Sequence, residues 1–276
     1  MENNEVLKIA RKWYEKIPFP KCFEEEFEEL FAKQHDLECT TYDVYMKEHN
    51  QDDHGKNLLM LLYFFQELSE RYEAAGIPEE ILIGTIADIV VGVQRYHLLN
   101  GSIGLANLSG WEEYMHMCLF RIGRLQFCMF GAYVDIPEKG IKAGDPVMDV
   151  HVPIAGPLTM EACEDAFQRA EVFFTTYFPD YHYKYYTCFS WLFDDVLQKF
   201  LKEDSNILKF QKLFEPVYKR EQDSILHFMF RFGFKDREEI RDCEAKTDFA
   251  KKVKEYALNG GVFHNVLAVK EHTQKG

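Results

Sequence analysis

The stretch from Val147 to Leu192 constrains this chain more than any other. It reads strand, tight turn, helix, strand. The first strand, V-M-D-V-H-V-P at 147–153, runs into I-A-G-P-L-T at 154–159, where a helix opens and continues to about Phe178. A second strand, Y-K-Y-Y-T-C-F-S-W-L at 183–192, follows the turn P-D-Y-H. A turn that delivers a helix N-terminus to the end of a strand makes an anion site. The first N–H groups of the helix lack internal partners, and the dipole there is positive. A phosphate-bearing ligand is the first to consider, although an ordinary strand-to-helix turn has the same pattern and one glycine is far weaker than a Gly-rich fingerprint. Thr159 suits the N-cap, and Cys163, Ala166, Phe167, Ala170, Phe174 and Tyr177 form the buried stripe. Glu161, Glu164 and Asp165 near the helix start already compensate the dipole and oppose a pyrophosphate unless they point away.

On the first strand, Asp149 and His151 are two apart, hence on one face with about 7 Å between Cα atoms. Met148, Val150 and Val152 take the other, core face. A histidine beside a carboxylate suits a general base; a structural pair is the alternative. On the second strand Tyr186, Cys188 and Ser190 share a face, with Phe189 and Trp191 on the other. A Cys188–His151 nucleophile pair requires the two side chains within hydrogen-bond reach; otherwise Cys188 is an apolar filler. The histidines have no metal-ligand spacing, and there is no H-E-x-x-H and no Cys/His quartet, so no metal is expected.

The 32 basic and 46 acidic residues give a formal charge of −14, which opposes binding to a nucleic-acid backbone or to anionic lipid. The longest apolar run, Leu58–Phe65, is far short of the about 20 residues that span a bilayer. Seven scattered cysteines without a C-x-x-C, and a polar, acidic start, fit reduced thiols in a cytoplasmic protein. The 24 Phe and 15 Tyr imply a core built on rings.

The first hundred residues read helical: Val6–Trp13, Cys22–Lys33, Tyr42–His49, Leu58–Ala75 and Glu79–Leu99, the last closed by Asn100-Gly101 and holding Asp88, expected to pair with Arg95 or Arg121. Phe120–Phe130 reads as a half-buried strand, and Ser224–Phe234 alternates like another. Val134–Pro137 leads into a turn at Glu138-Lys139-Gly140. Asp194–Leu201 and Asn206–Phe214 read as helices, the second capped by Ser205; Asp236–Tyr256 reads as one amphipathic helix, Val266–Val269 as a last strand, and Lys270–Gly276 as a frayed tail. The expected class is α+β, with a helical domain at 1–110 and a mixed α+β domain at 111–276.

Joined in order, several motifs resemble a family of bacterial N-acyltransferase-like proteins with a helical N-terminal domain and a GNAT-like C-terminal domain. They are G-I-P-E-E-I at 76–81, Asp88, Trp111, G-R-L-Q-F at 123–127, V-H-V-P-x-x-G-P-L-T at 150–159, F-F-x-x-Y-F-P at 173–179, C-F-S-W-L at 188–192 and S-N-I-L-K-F at 205–210. The resemblance covers most of 55–215 and implies a GNAT-like mixed sheet flanked by helices. It implies transfer of an acyl group from acetyl-CoA or another acyl-CoA to an amine, with His151 as base oriented by Asp149 and the front helices walling the acceptor pocket. The pantetheine arm would lie between two splayed strands, contacting Val150, Val152, Pro153, Gly156, Pro157, Leu158, Thr159, Ser190 and Asn206. The usual R/Q-x-x-G-x-G/A loop is replaced by I-A-G-P-L-T, and Ser205-Asn206 stand near where a tyrosine acid is common. A non-catalytic, regulatory module is therefore the alternative, with Trp191 or Phe189 filling the groove. Partners are a small acyl donor and an amine acceptor, with no nucleic acid and no membrane.

Overall fold

The structure, a computed structural model, describes residues 2–48, 52–230 and 233–272. The chain divides into two compact units. One holds residues 1–128 and 170–178; the other holds 129–169 and 179–276.

The first unit opens with α1 (Glu2–Lys16), α2 (Glu24–Ala32) and α3 (Tyr42–Glu48), followed by α4 (His54–Ala74). The expected piece at Tyr42–His49 ends at Glu48, and His49 lies outside the described residues. The α4 helix is capped by Asp53, whose carboxylate accepts from Lys56 N–H, and Leu58–Leu62, Phe64 and Phe65 are fully buried. Trp13 of α1 meets Phe65 edge-on at 6.3 Å.

The single helix expected over Glu79–Leu99 breaks at Ala87 into α5 (Glu79–Ile86) and α6 (Asp88–Asn100). Gly101 ends α6 with φ +72, the left-handed cap the sequence indicates. By length and composition, Glu79–Asn100 could cross a membrane. Asp88 sits inside that run, however, where Tyr114 Oη and Gln126 Nε2 donate to its Oδ2 at 2.8 and 2.6 Å. Arg121 pairs with Oδ1 at 4.0 Å, as expected, and the two neutral donors, closer to the carboxylate, are partners that sequence spacing did not single out. Burial, then the Asp88 charge, pushes the Tyr114 phenol up.

After α7 (Glu112–Met115), the expected single strand over Phe120–Phe130 is two strands. They are β1 (Leu119–Ile122) and β2 (Leu125–Gly131), paired antiparallel with Ile122 opposite Leu125. Gly123, at φ +62, turns the chain between them. Leu125–Cys128 are all buried, so β2 is covered on both faces there. Phe120 packs against Tyr72, Phe173, Phe174 and Phe178 at 4.9–5.9 Å, the ring-built core expected from composition.

In the second unit, a loop with the turn Pro137–Lys139 and a bridge between Ile136 and Ile141 leads to β3 (Pro146–His151). Then, along the chain, come α8 (Met160–Tyr177), whose residues from Ala170 belong to the first unit, β4 (Tyr185–Ser190), α9 (Asn206–Gln211), β5 (Glu215–Glu221), α10 (Ser224–Met229), α11 (Asp248–Leu258) and β6 (His264–Glu271). The sheet order is β1-β2-β3-β4-β6-β5, with β3 and β4 parallel and β6 antiparallel to both of its neighbours. This is the expected α+β class: helices first, then a mixed sheet with helices on it.

Several expectations yield. Ser224–Phe234 is not a strand; Ser224–Met229 is helical, with Ile225 and Leu226 both fully buried. Arg231 and Phe232 lie outside the described residues. The helix expected over Asp236–Tyr256 is a 3₁₀ turn at Arg237–Ile240 and then α11, restarted by Thr247, whose hydroxyl accepts from Ala250 N–H. The β6 strand extends from His264 to Glu271, so the tail expected to fray from Lys270 begins inside the sheet; residues 273–276 lie outside the described ones. Ser205 caps α9 as expected.

Asp194, 1% exposed, ties this unit together by accepting from Val196 N–H at 3.1 Å and His264 N–H at 2.7 Å. Burial raises its pKa against the opposing pull of those bonds. Asp194→Ala strands both N–H groups and is expected to cost about 1–3 kcal/mol in urea unfolding. An unchanged midpoint would show that water replaces the carboxylate.

Candidate active site

The β3–β4 register sets Met148 beside Tyr186 and Asp149 beside Thr187. Their pairing stops at that rung. The β4 strand continues to Ser190 in register with Val266 of β6, while β3 continues to His151. Two parallel neighbours thus part at their C-terminal ends, leaving a wedge that opens past Asp149 and Thr187.

Register also assigns faces. Asp149, His151, Thr187 and Phe189 share one face of the sheet; Met148, Val150, Tyr186, Cys188 and Ser190 share the other. Val147–Val150 are all buried, so Asp149 lies in the interior too, at 3% exposure, rather than opposite a core face. Its carboxylate collects three donors. Thr187 Oγ1 donates to Oδ1 at 2.6 Å, and Tyr133 Oη and His151 Nε2 both reach Oδ2 at 3.1 Å. His151 is exposed over 43% of its side chain, so the pair joins a buried carboxylate to a ring facing solvent. Tyr133 lies on the loop before the Ile136–Ile141 bridge; its ring packs on Phe130 at 4.8 Å and reaches Phe189 at 6.2 Å.

Beyond His151 the chain turns through Val152, Pro153 and Ile154, then Gly156, Pro157, Leu158 and Thr159, into α8. Gly156 has φ +59 and open space where a Cβ would stand, so its backbone angle requires glycine, not a close approach. Leu158 is buried, Gly156 and Pro157 are exposed, and Val152 and Pro153 are intermediate. Thr159 Oγ1 accepts from Ala162 N–H at 3.3 Å, the expected cap. Glu161, Glu164 and Asp165 are all exposed, and Asp165 pairs with Arg169 at 3.5 Å. Ser190 ends β4 on the wedge, where its hydroxyl accepts from Leu192 N–H. Asn206 is the first residue of α9, which Gln211 links to the segment after β4 through Leu192 O at 2.8 Å.

The Cys188–His151 pair fails on register. The two residues face opposite sides of the sheet, and burial, with the Asp149 charge adding to it, pushes the Cys188 thiol well above its ordinary value. The residues expected to fill the groove in a non-catalytic module are both partly buried against the core. Trp191 packs against the C-terminal core of Val196, Leu226 and Phe263, and Phe189 against the cluster of Ala132, Ile136 and Leu267. Sequence reasoning missed Thr187 and Tyr133 as partners of Asp149. Thr187 becomes visible once β3 and β4 are aligned; Tyr133 sits on a loop with no periodicity to mark it.

Comparison places this architecture. The family model described as N-acyltransferase N-terminal domain matches residues 3–115, and the one described as GNAT-like C-terminal domain matches 119–269. A crystal structure of an acyltransferase in complex with decanoyl-CoA and teicoplanin is similar, with a TM-score of 0.74 at 21% identity over 95% of this chain and 87% of that one. An acyltransferase in complex with decanoyl-CoA gives 0.73 at 22% identity, over 96% and 88%. One in complex with CoA and 10C-teicoplanin gives 0.74 at 21%, over 95% and 87%. No curated protein matches the chain in sequence. At these identities the solved structures establish a shared fold, and the family models match nearly the whole length: the chain belongs to the N-acyltransferase family in which a helical N-terminal domain precedes a GNAT-like C-terminal domain.

Proposed function

We propose that the protein is an acyl-CoA-dependent N-acyltransferase, with His151 as general base and Asp149 as the group that orients it. The observation behind this reading is the parting of β3 from β4 immediately after the Asp149–Thr187 rung, with His151 on the strand end that lines the opening. A pantetheine arm is a polar, strand-like chain suited to such a wedge, since it can take up backbone hydrogen bonds where two strands separate. The turn from Val152 to Thr159 and the start of α8 follow directly; Thr159 already accepts from Ala162 N–H, so a diphosphate at the outer end of the arm would meet the N–H groups of Met160 and Glu161. The solved relatives bound to decanoyl-CoA and CoA support a CoA thioester as the donor. Teicoplanin accompanies decanoyl-CoA in one relative and 10C-teicoplanin accompanies CoA in another, which supports a small-molecule acceptor.

The donor supplies a thioester carbonyl. Because Nε2 of His151 is engaged by Asp149, Nδ1 is the ring nitrogen that takes the proton from the attacking amine, directly or through one water. Asp149 stabilises the resulting imidazolium, and a backbone N–H at the strand end holds the oxyanion. The C–N bond forms as the C–S bond breaks, and the proton leaves with the thiol.

Acyl-CoAs of increasing chain length are expected to raise the melting temperature by several degrees when present at about 100 times their Kd, the effect of roughly 2.7 kcal/mol of linkage. Release of free thiol with a panel of amines then identifies the acceptor. The absence of any thermal shift with acetyl-, octanoyl- and decanoyl-CoA at millimolar concentration would defeat the donor assignment.

A further inference from the structure

We propose that Thr187 is a positioning residue for His151, acting through the Asp149 carboxylate. The inference rests on the acyl-transfer reading for its kinetic consequence, but not for its structural content.

Asp149 is 3% exposed and Thr187 1%, so their bond is made in the interior. A carboxylate buried to this degree needs donors on both oxygens. Thr187 alone supplies Oδ1 among the hydrogen bonds that the structure assigns to the carboxylate, at 2.6 Å, a length typical of a hydroxyl bonded to an ionised acceptor. The other two donors, Tyr133 Oη and His151 Nε2, share Oδ2 at 3.1 Å each. With Oδ1 pinned to the neighbouring strand, the carboxyl plane cannot turn about its Cβ–Cγ bond. Oδ2 is then held at a fixed place, where it meets Nε2 of the half-exposed imidazole. That keeps the proton on Nε2 and the lone pair on Nδ1.

The location strengthens the case. Thr187 and Asp149 form the last rung that β3 and β4 share. Their side-chain bond therefore closes the apex of the wedge on the face that carries His151. Tyr133 is a weaker guide than Thr187, because it belongs to a loop and is 48% exposed.

The test replaces Thr187 by Val, which keeps the shape and removes the hydroxyl, and by Ser, which keeps the hydroxyl. In Thr187→Val, kcat is expected to fall about 10- to 100-fold, the usual effect of deleting a partner one step removed from the reacting group, with the KM for acyl-CoA held. Thr187→Ser is expected to recover most of the loss. Independently of turnover, ¹⁵N-histidine NMR is expected to show His151 in the Nε2–H form in the parent and in Thr187→Ser, and in a mixture of tautomers in Thr187→Val. If Thr187→Val does not fold, Thr187→Ala takes its place in the same comparison. An unchanged His151 spectrum in the hydroxyl-free variant, or equal loss of kcat in Val and Ser, would overturn the proposal. If the spectrum changes as expected but the parent transfers no acyl group to any amine, the positioning stands and the acyl-transfer reading falls.

Discussion

If His151 is the proposed general base, replacing it by Gln is expected to lower the rate of acyl transfer by roughly 100- to 10,000-fold, the range over which a positioned general base contributes. The KM for the CoA thioester is expected to change little, because the ring is half exposed and its replacement leaves the buried rung of Asp149 and Thr187 in place. Asp149→Asn gives a smaller but comparable loss for a different reason. The amide can still accept from Thr187 through its oxygen, yet it presents an NH₂ to His151 and favours the opposite tautomer, with the proton on Nδ1. The two variants together separate loss of the base from loss of its orientation. If His151→Gln retains the parental kcat with an amine acceptor, the base assignment is wrong.

The second large effect is on stability. Phe120 is fully buried and touches four other rings: Tyr72 at 5.7 Å, Phe173 at 4.9 Å, Phe174 at 5.9 Å and Phe178 at 5.1 Å. Phe120→Ala removes a whole ring from that cluster and is expected to destabilise its unit by about 3–5 kcal/mol, more than a methylene count gives, because rings held on separate elements cannot all collapse into the gap. A denaturation midpoint within about 0.5 kcal/mol of the parent, the size of an ordinary surface substitution, would mean that the cluster repacks. Phe120→Leu, which keeps much of the volume, should lose far less.

The strand–turn–helix–strand unit was legible in the sequence because each of its signals is local. Cys163, Ala166, Ala170 and Phe174 recur at helical spacing and are all buried, and Thr159 caps the helix that they define. The Asp149–His151 pair was legible for the same reason: two residues apart on a strand means one face. Register was not. Nothing along the chain says that Thr187 stands beside Asp149, and that single alignment both supplies the carboxylate's closest donor and sends Cys188 to the other side of the sheet. The β5 strand escaped notice because it is an edge strand, exposed or half-exposed at every position, with no apolar alternation to betray it. The alternating run after Ser224 misled in the opposite way. So many of its residues are apolar that a period of two can be read from it, yet Ile225 and Leu226 enter the core side by side on a short helix. Continuous charge patterning over 236–256 likewise concealed the break that Thr247 repairs by starting a new helix.

The central claim is that an acyl thioester enters where β3 and β4 part and brings its carbonyl to His151. A crystal structure with a non-transferable thioether analogue of an acyl-CoA tests it most directly. The account predicts the pantetheine arm between the strand ends at Val150–His151 and Phe189–Ser190, the diphosphate over the turn from Gly156 to Thr159, and the carbonyl within one water of His151 Nδ1. An analogue bound elsewhere on the chain, or bound in the wedge with its carbonyl on the Cys188 face of the sheet, would contradict it.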